Sequence, residues 1–150
     1  MTEPSEPSTT VCIERTFDAP PGEVFDAWTS AEVMKRWWHA EHSWETPFAA
    51  VVLRIGGSIR VTMRNPADGT EYGGGGEYTA IDRPRHLAFT WTWDGDDESR
   101  RQLIEIEFVD RGERTTVILT NRGVPYPDVE DHRTGWQNAF DNLAEALRPS

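Results

Sequence analysis

His86-Leu-Ala-Phe-Thr-Trp-Thr-Trp93 is the stretch that decides the fold. Leu87, Phe89, Trp91 and Trp93 fall on one side of an extended chain, and His86, Ala88, Thr90 and Thr92 on the other. A period of two in aromatic and β-branched residues predicts a strand with one buried and one wet face. The scheme repeats outward. Ile59, Val61 and Met63 alternate with Arg60, Thr62 and Arg64, while Ile104, Ile106 and Phe108 alternate with Glu105 and Glu107. Between the runs lie Gly56-Gly57, Asn65-Pro-Ala-Asp-Gly69, Asp82-Arg-Pro84, Asp94-Gly-Asp-Asp97 and Asp110-Arg-Gly112. Such residues accept the backbone angles of tight reversals. Six strands from about Phe48 to Asn121 therefore form an antiparallel meander, opening with Phe48–Ile55 and Ser58–Arg64. Gly73 to Gly76 mark a bulge, a bend or the close approach of another element. A phosphate loop does not fit, because no Gly-Lys-Ser/Thr ending and no helix follow.

Both flanks change period. Val11, Ile13 and Phe17 predict a first strand. Ala19-Pro-Pro-Gly-Glu23 starts a helix, with proline where no N–H is needed, and Val24, Phe25 and Trp28 follow at helical spacing. Thr29-Ser30 ends it and caps a second short helix that carries Val33, Met34 and Trp37. At the far end Pro127-Asp128 opens the longest helix, which Arg148-Pro149 closes. Its stripe is Val129, His132, Arg133, Trp136, Ala139, Phe140, Leu143, Ala144 and Leu147. One strong apolar face must lie on something, and the concave side of the meander is the available surface. The fold class is α+β: strand, two short helices, six-stranded meander, long C-terminal helix.

The bulk properties set the setting. A chain of 150 residues is one domain, and residues 11–150 are expected to form it behind a disordered polar tail over 1–10. That tail lacks the apolar run and basic flank of a signal peptide, and no stretch reaches the ~20 apolar residues of a membrane span. The lone Cys12 cannot pair within the chain and is expected to sit buried in the first strand. A net charge of −11 disfavours nucleic acid, whose phosphates need clustered lysine or arginine. A cytoplasmic protein with neither nucleic acid nor membrane as partner is expected. A homodimer is compatible with the chain, although no heptad or long exposed edge specifies one.

Seven tryptophans in such a chain are the main functional signal. Leu and Val alone could pack a small core, so many indoles point to a cavity for an apolar, aromatic ligand, with a plain aromatic core as the alternative. The expected lining is Met63, Phe89, Trp91, Trp93, Trp136 and Phe140, with His132, Tyr78 and Asn121 as polar contacts. His132 lies on the apolar stripe, so its ring should face the sheet; a core histidine satisfied by hydrogen bonds is the alternative.

Chemistry beyond binding has little support. His39 and His42 stand near Glu41 and Glu45, but their segment leaves the helix and no HExxH pattern occurs, so they read as surface histidines and no metal is expected. Ser58, Ser99 and Cys12 resemble no nucleophile elbow, so no catalytic residue and no cofactor is assigned.

Seven stretches in order carry a resemblance. They are Phe17-Asp-Ala-Pro20 with Val24-Phe-Asp-Ala-Trp-Thr29; Arg36-Trp-Trp38; Leu53-Arg-Ile-Gly-Gly57; Gly76-Glu-Tyr78 with Ile81-Asp82; Leu87-Ala-Phe-Thr-Trp91; Thr115-Thr-Val-Ile-Leu-Thr120; and His132-Arg-Thr-Gly-Trp136 leading into Leu143. Together they resemble the START/birch-pollen-allergen-like superfamily, in particular the branch named after the activator of the ninety-kilodalton heat-shock protein ATPase. The resemblance implies a helix-grip fold with a cavity between sheet and last helix. It supplies no shared catalytic residue. Most bacterial members of the branch are single domains without the chaperone-binding module, and the resemblance implies that this chain is expected to be one of them. The functions left open are binding of an apolar small molecule, a cyclase, aromatase or hydrolase acting on lipophilic substrates, and a chaperone-associated interaction module. That last class would show as an exposed apolar patch rather than a hollow.

Overall fold

The computed structural model describes residues 10–148. Save for Thr10, the stretch expected as a tail lies outside them, as does Pro149. The elements follow the expected order: β1 (Val11–Phe17), α1 (Pro21–Thr29), α2 (Ala31–Trp37), β2 (Glu45–Val51), β3 (Ser58–Arg64), β4 (Glu71–Asp82), β5 (His86–Trp93), β6 (Gln102–Asp110), β7 (Thr115–Arg122) and α3 (Val129–Ala146). Single 3₁₀ turns at Glu98–Arg100 and Tyr126–Asp128 precede β6 and α3. Pro21 opens α1, and the Ser30 hydroxyl accepts from the Val33 N–H to cap α2.

The strands form one antiparallel sheet in the order β1-β7-β6-β5-β4-β3-β2. The helical excursion after β1 thus carries the chain from one sheet edge to the other, and the meander returns to close on β1. Opposed pairs such as Ile13–Leu119, Ile106–Leu119 and Leu87–Ile106 stack apolar side chains on the concave face. On that face α3 packs against α2 and β1. This is a helix-grip fold.

Three expectations shift in detail. β2 runs over Glu45–Val51 rather than Phe48–Ile55, leaving Phe48, Val52, Leu53 and Ile55 exposed. Cys12 is exposed, because its neighbours Val11 and Ile13 take the buried phase of β1. Of the alternatives for Gly73–Gly76, close approach holds: a Cβ on Gly74 would stand 2.7 Å from the Trp91 ring, and one on Gly76 2.0 Å from the Thr90 carbonyl oxygen. The irregular step of β4 comes later, between Tyr78 and Ala80.

Candidate functional site

The tryptophans divide into two groups. Trp28 and Trp37 have no exposed surface, and their rings meet edge-on with centroids 4.6 Å apart. The Trp37 indole donates to the Ala27 carbonyl at 3.0 Å, so this pair belongs to the core. Trp38, Trp44, Trp91, Trp93 and Trp136 instead border a hollow of about 530 Å³, open to solvent, between the sheet, the chain after α2 and α3 from Asp131 to Ala139. Trp38 stacks on Trp91 at 5.5 Å, Trp91 meets Trp93 edge-on at 5.2 Å, and Trp136 meets Trp38 at 5.4 Å. Trp44 and Tyr72 stack at 5.0 Å as a slab on the same boundary. A volume in the range of small-molecule sites, with mostly apolar walls, can enclose a ligand of a few fused rings.

A polar chain crosses the wall. Trp136 Nε1 donates to Asn121 Oδ1 at 3.0 Å, and Asn121 Nδ2 donates to Gln102 Oε1 at 2.9 Å. These bonds tie α3 to β7 and β6 at the wall of the hollow. They also occupy the Asn121 amide, so Asn121 shapes the wall more than it faces a ligand.

Two histidines border the same space. His39 is buried, against the expectation of a surface residue, because the chain after α2 folds over the sheet. The Thr46 hydroxyl donates to the Trp38 carbonyl at 2.6 Å, so it accepts from His39 Nδ1 at 2.9 Å. Burial, helped by His42, holds His39 below the ordinary histidine range, while Glu45 opposes. His42 is exposed as expected and lies 3.0 Å from Asp141. Among the described residues no three His, Cys, Asp or Glu side chains converge on a metal position. His132 faces the sheet side, with Nδ1 3.0 Å from the Asp128 carbonyl oxygen and its ring edge-on to Trp93 at 6.3 Å. Trp28 Nε1, Tyr78 Oη, Trp91 Nε1 and His132 Nε2 are buried without a hydrogen-bond partner. Two of these four residues, Trp91 and His132, border the hollow.

Of the nine residues expected to line the cavity, Met63, Trp91, Trp93, Asn121, His132 and Trp136 do so. Tyr78, Phe89 and Phe140 lie behind the wall, buried in the core. Burial pushes the Tyr78 phenol above its ordinary pKa. Trp38, His39, Trp44, Tyr72 and Gln102 line the hollow as well, beyond those expected from the sequence. Gln102 had a signal, a polar residue in phase with Ile104, Ile106 and Phe108 on the inward face.

The sequence pattern of the family described as Activator of Hsp90 ATPase homolog 1-like protein matches residues 18–148. The chain belongs to that family. Its curated relatives include the Activator of 90 kDa heat shock protein ATPase homolog 1 of Mus musculus, 25% identical over 89% of this chain. The Homo sapiens counterpart is 22% identical over the same share. The chain spans 35% of the length of each. Among solved structures, a protein from Chromobacterium violaceum superposes with a TM-score of 0.81 at 21% identity, covering 94% of this chain and 99% of its own. A family member from Silicibacter pomeroyi gives 0.79 at 24%, covering 92% and 96%. A protein of the dynemicin biosynthetic locus gives 0.73 at 22%, covering 94% of this chain and 48% of its own. These likenesses establish the helix-grip fold.

Proposed function

We propose that this protein binds an apolar, aromatic small molecule in the hollow between the sheet and α3. The observation that carries the reading is the space of about 530 Å³ bordered by five indoles, beside a closely packed apolar core. Flat rings on several sides offer stacking and edge contacts to another flat ring. Binding in an aqueous, cytoplasmic setting fits a structure in which no described helix is long and apolar enough to cross a membrane. Titration of tryptophan fluorescence with flavonoids, polycyclic phenols and fatty acids tests the reading. Saturable quenching is expected, and it should vanish when Trp91 and Trp93 are both replaced by Leu. If no compound perturbs the emission, the hollow is not a binding site.

Two observations favour other readings. A relative from a biosynthetic locus, together with the unpaired His132 nitrogen, is compatible with acid–base chemistry on a bound lipophilic substrate. Exposed Phe48, Val52, Leu53 and Ile55, together with the likeness to the heat-shock protein ATPase activator, are compatible with an interaction module. Pull-down with the ninety-kilodalton heat-shock protein separates the second from ligand binding. Retained ligand binding with lost turnover in His132→Ala separates the first.

A further inference from the structure

His132 differs from the other partnerless groups because it is an acceptor on the wall of an open space. A carbonyl oxygen only accepts, so the ring proton sits on Nδ1, facing Asp128. In the neutral ring Nε2 is then a bare lone pair, buried and unpaired. The bond to a carbonyl four residues back fixes the ring against flipping, and the Trp93 edge contact holds its face. An unpaired buried acceptor is a standing cost that a donor from a ligand removes.

The charges around the hollow point the same way. Among the described residues Glu41 and Asp131 are the charged side chains that border it, with no lysine or arginine. Arg60 and Arg64, on adjacent β3, are engaged by Asp94 and by Glu45 and Glu71. A carboxylate entering the space would meet a lone pair and two acidic groups, on a chain of net charge −11, against which the Trp91 indole N–H offers one neutral donor.

We infer that His132 Nε2 is the acceptor that sets ligand choice in this hollow: it takes a hydroxyl or ammonium hydrogen from an aromatic ring system, and carboxylates are turned away. This rests on the binding reading above and gives it a ligand class.

Equilibrium dialysis of the full chain with four naphthalenes substituted at one ring position tests it: naphthol, naphthylmethylammonium, methoxynaphthalene and naphthoate. Methoxynaphthalene keeps the oxygen and loses the donor. At least one of the two donors should bind on the order of tenfold tighter than methoxynaphthalene, with naphthoate weakest. Which donor leads tells a hydroxyl from an amine. In His132→Phe the donor advantage should shrink to about twofold or less while methoxynaphthalene still binds, which also shows that the variant is folded. Equal binding of donors and methoxynaphthalene, a preference for naphthoate, or an advantage that survives in His132→Phe overturns the inference and leaves the binding reading standing. If none of the four binds wild-type protein, the binding reading falls and takes the inference with it.

Discussion

The two halves of α3 meet the same sheet in different ways. In the second half Phe140 and Leu143 have no exposed surface, and Phe140 packs edge-on against Phe17 at 5.5 Å and Trp28 at 6.1 Å. Phe25 and Phe108 continue that cluster at 5.3 Å. In the first half His132, Gly135 and Trp136 border the hollow. There Trp136 adds a hydrogen bond to Asn121 to its ring contacts with Trp28 at 5.9 Å and Trp38 at 5.4 Å. Gly135 lets the helix draw close to the chain after α2, since a Cβ on it would lie 3.2 Å from the Ala40 methyl. One helix is thus seated at one end by fully buried rings and at the other by a ring that is also hydrogen-bonded and stands beside open space. Rings meet edge-on in both regions, so the difference lies in whether they are covered on every side or face open space.

The sharpest way to break this contrast is to truncate one ring on each side. Phe140→Ala should lower unfolding free energy by about 3–5 kcal/mol, the usual loss for a buried aromatic in a packed core. Trp93→Ala, on a half-buried ring at the hollow, should cost about 1 kcal/mol or less and weaken ligand binding instead. Urea unfolding of both variants decides. Similar costs at the two sites would mean that the hollow's wall is as structural as the core.

A second test moves the wall. Gly74→Ala places a methyl against the Trp91 ring, which rests on the bare backbone of β4. Overpacking of this kind costs about 1–3 kcal/mol, and it should push the indole into the hollow and shift its emission. Unchanged fluorescence and stability would show that the ring has room to spare on its sheet side.

Periodicity made the architecture legible, because inward and outward phases alternate along β3 and β6 as their residues dictate, and along β5 except that Ala88, expected on the wet face, is buried. It conveyed the face of each residue but not its depth. Tyr78 and Phe89 share the inward face with Met63 and Trp91, yet the first two are core and the others wall. That difference depends on where α3 crosses the sheet, a long-range fact with no local signal. His39 was opaque for a similar reason: an acidic neighbourhood reads as solvated until the chain after α2 is seen folded over the sheet. Cys12 carries two opposed signals. Strand alternation with Val11 and Ile13 places it outside, whereas its small apolar side chain argued for burial. Gln102 lay open to the same reasoning in reverse.

His39 offers a pH handle on the hollow's end of the molecule. Its pKa in the fold is lowered from 6.5, chiefly by burial, so the unfolded chain takes up the proton first as pH falls. Its contribution is therefore complete above the unfolded value of 6.5 and is lost on acidification toward the lower folded value. His39→Gln should flatten the fall in stability between about pH 7 and 5, whatever offset the lost Thr46 contact introduces. Parallel slopes for variant and wild type would place the acid sensitivity elsewhere.

The smallest effect is expected on the outer face of α3, where Asp141 joins Arg15 of β1 and His42 of the chain before β2. Burial raises the Asp141 pKa, but the hydrogen bonds from Arg15 and His42 outweigh it and hold the carboxyl below its ordinary range. The carboxylate is nevertheless half exposed, so water and salt screen both ties. Asp141→Asn should cost about 1 kcal/mol or less and leave ligand affinity unchanged, with a still smaller difference at high salt. The residue lies one position beyond Phe140, so it probes whether the interlocked half of the helix is seated from within or clamped from without. A loss comparable to that of Phe140→Ala would mean that the outer charges, not the rings beneath, fix where the helix lies and so how much space remains under its other half.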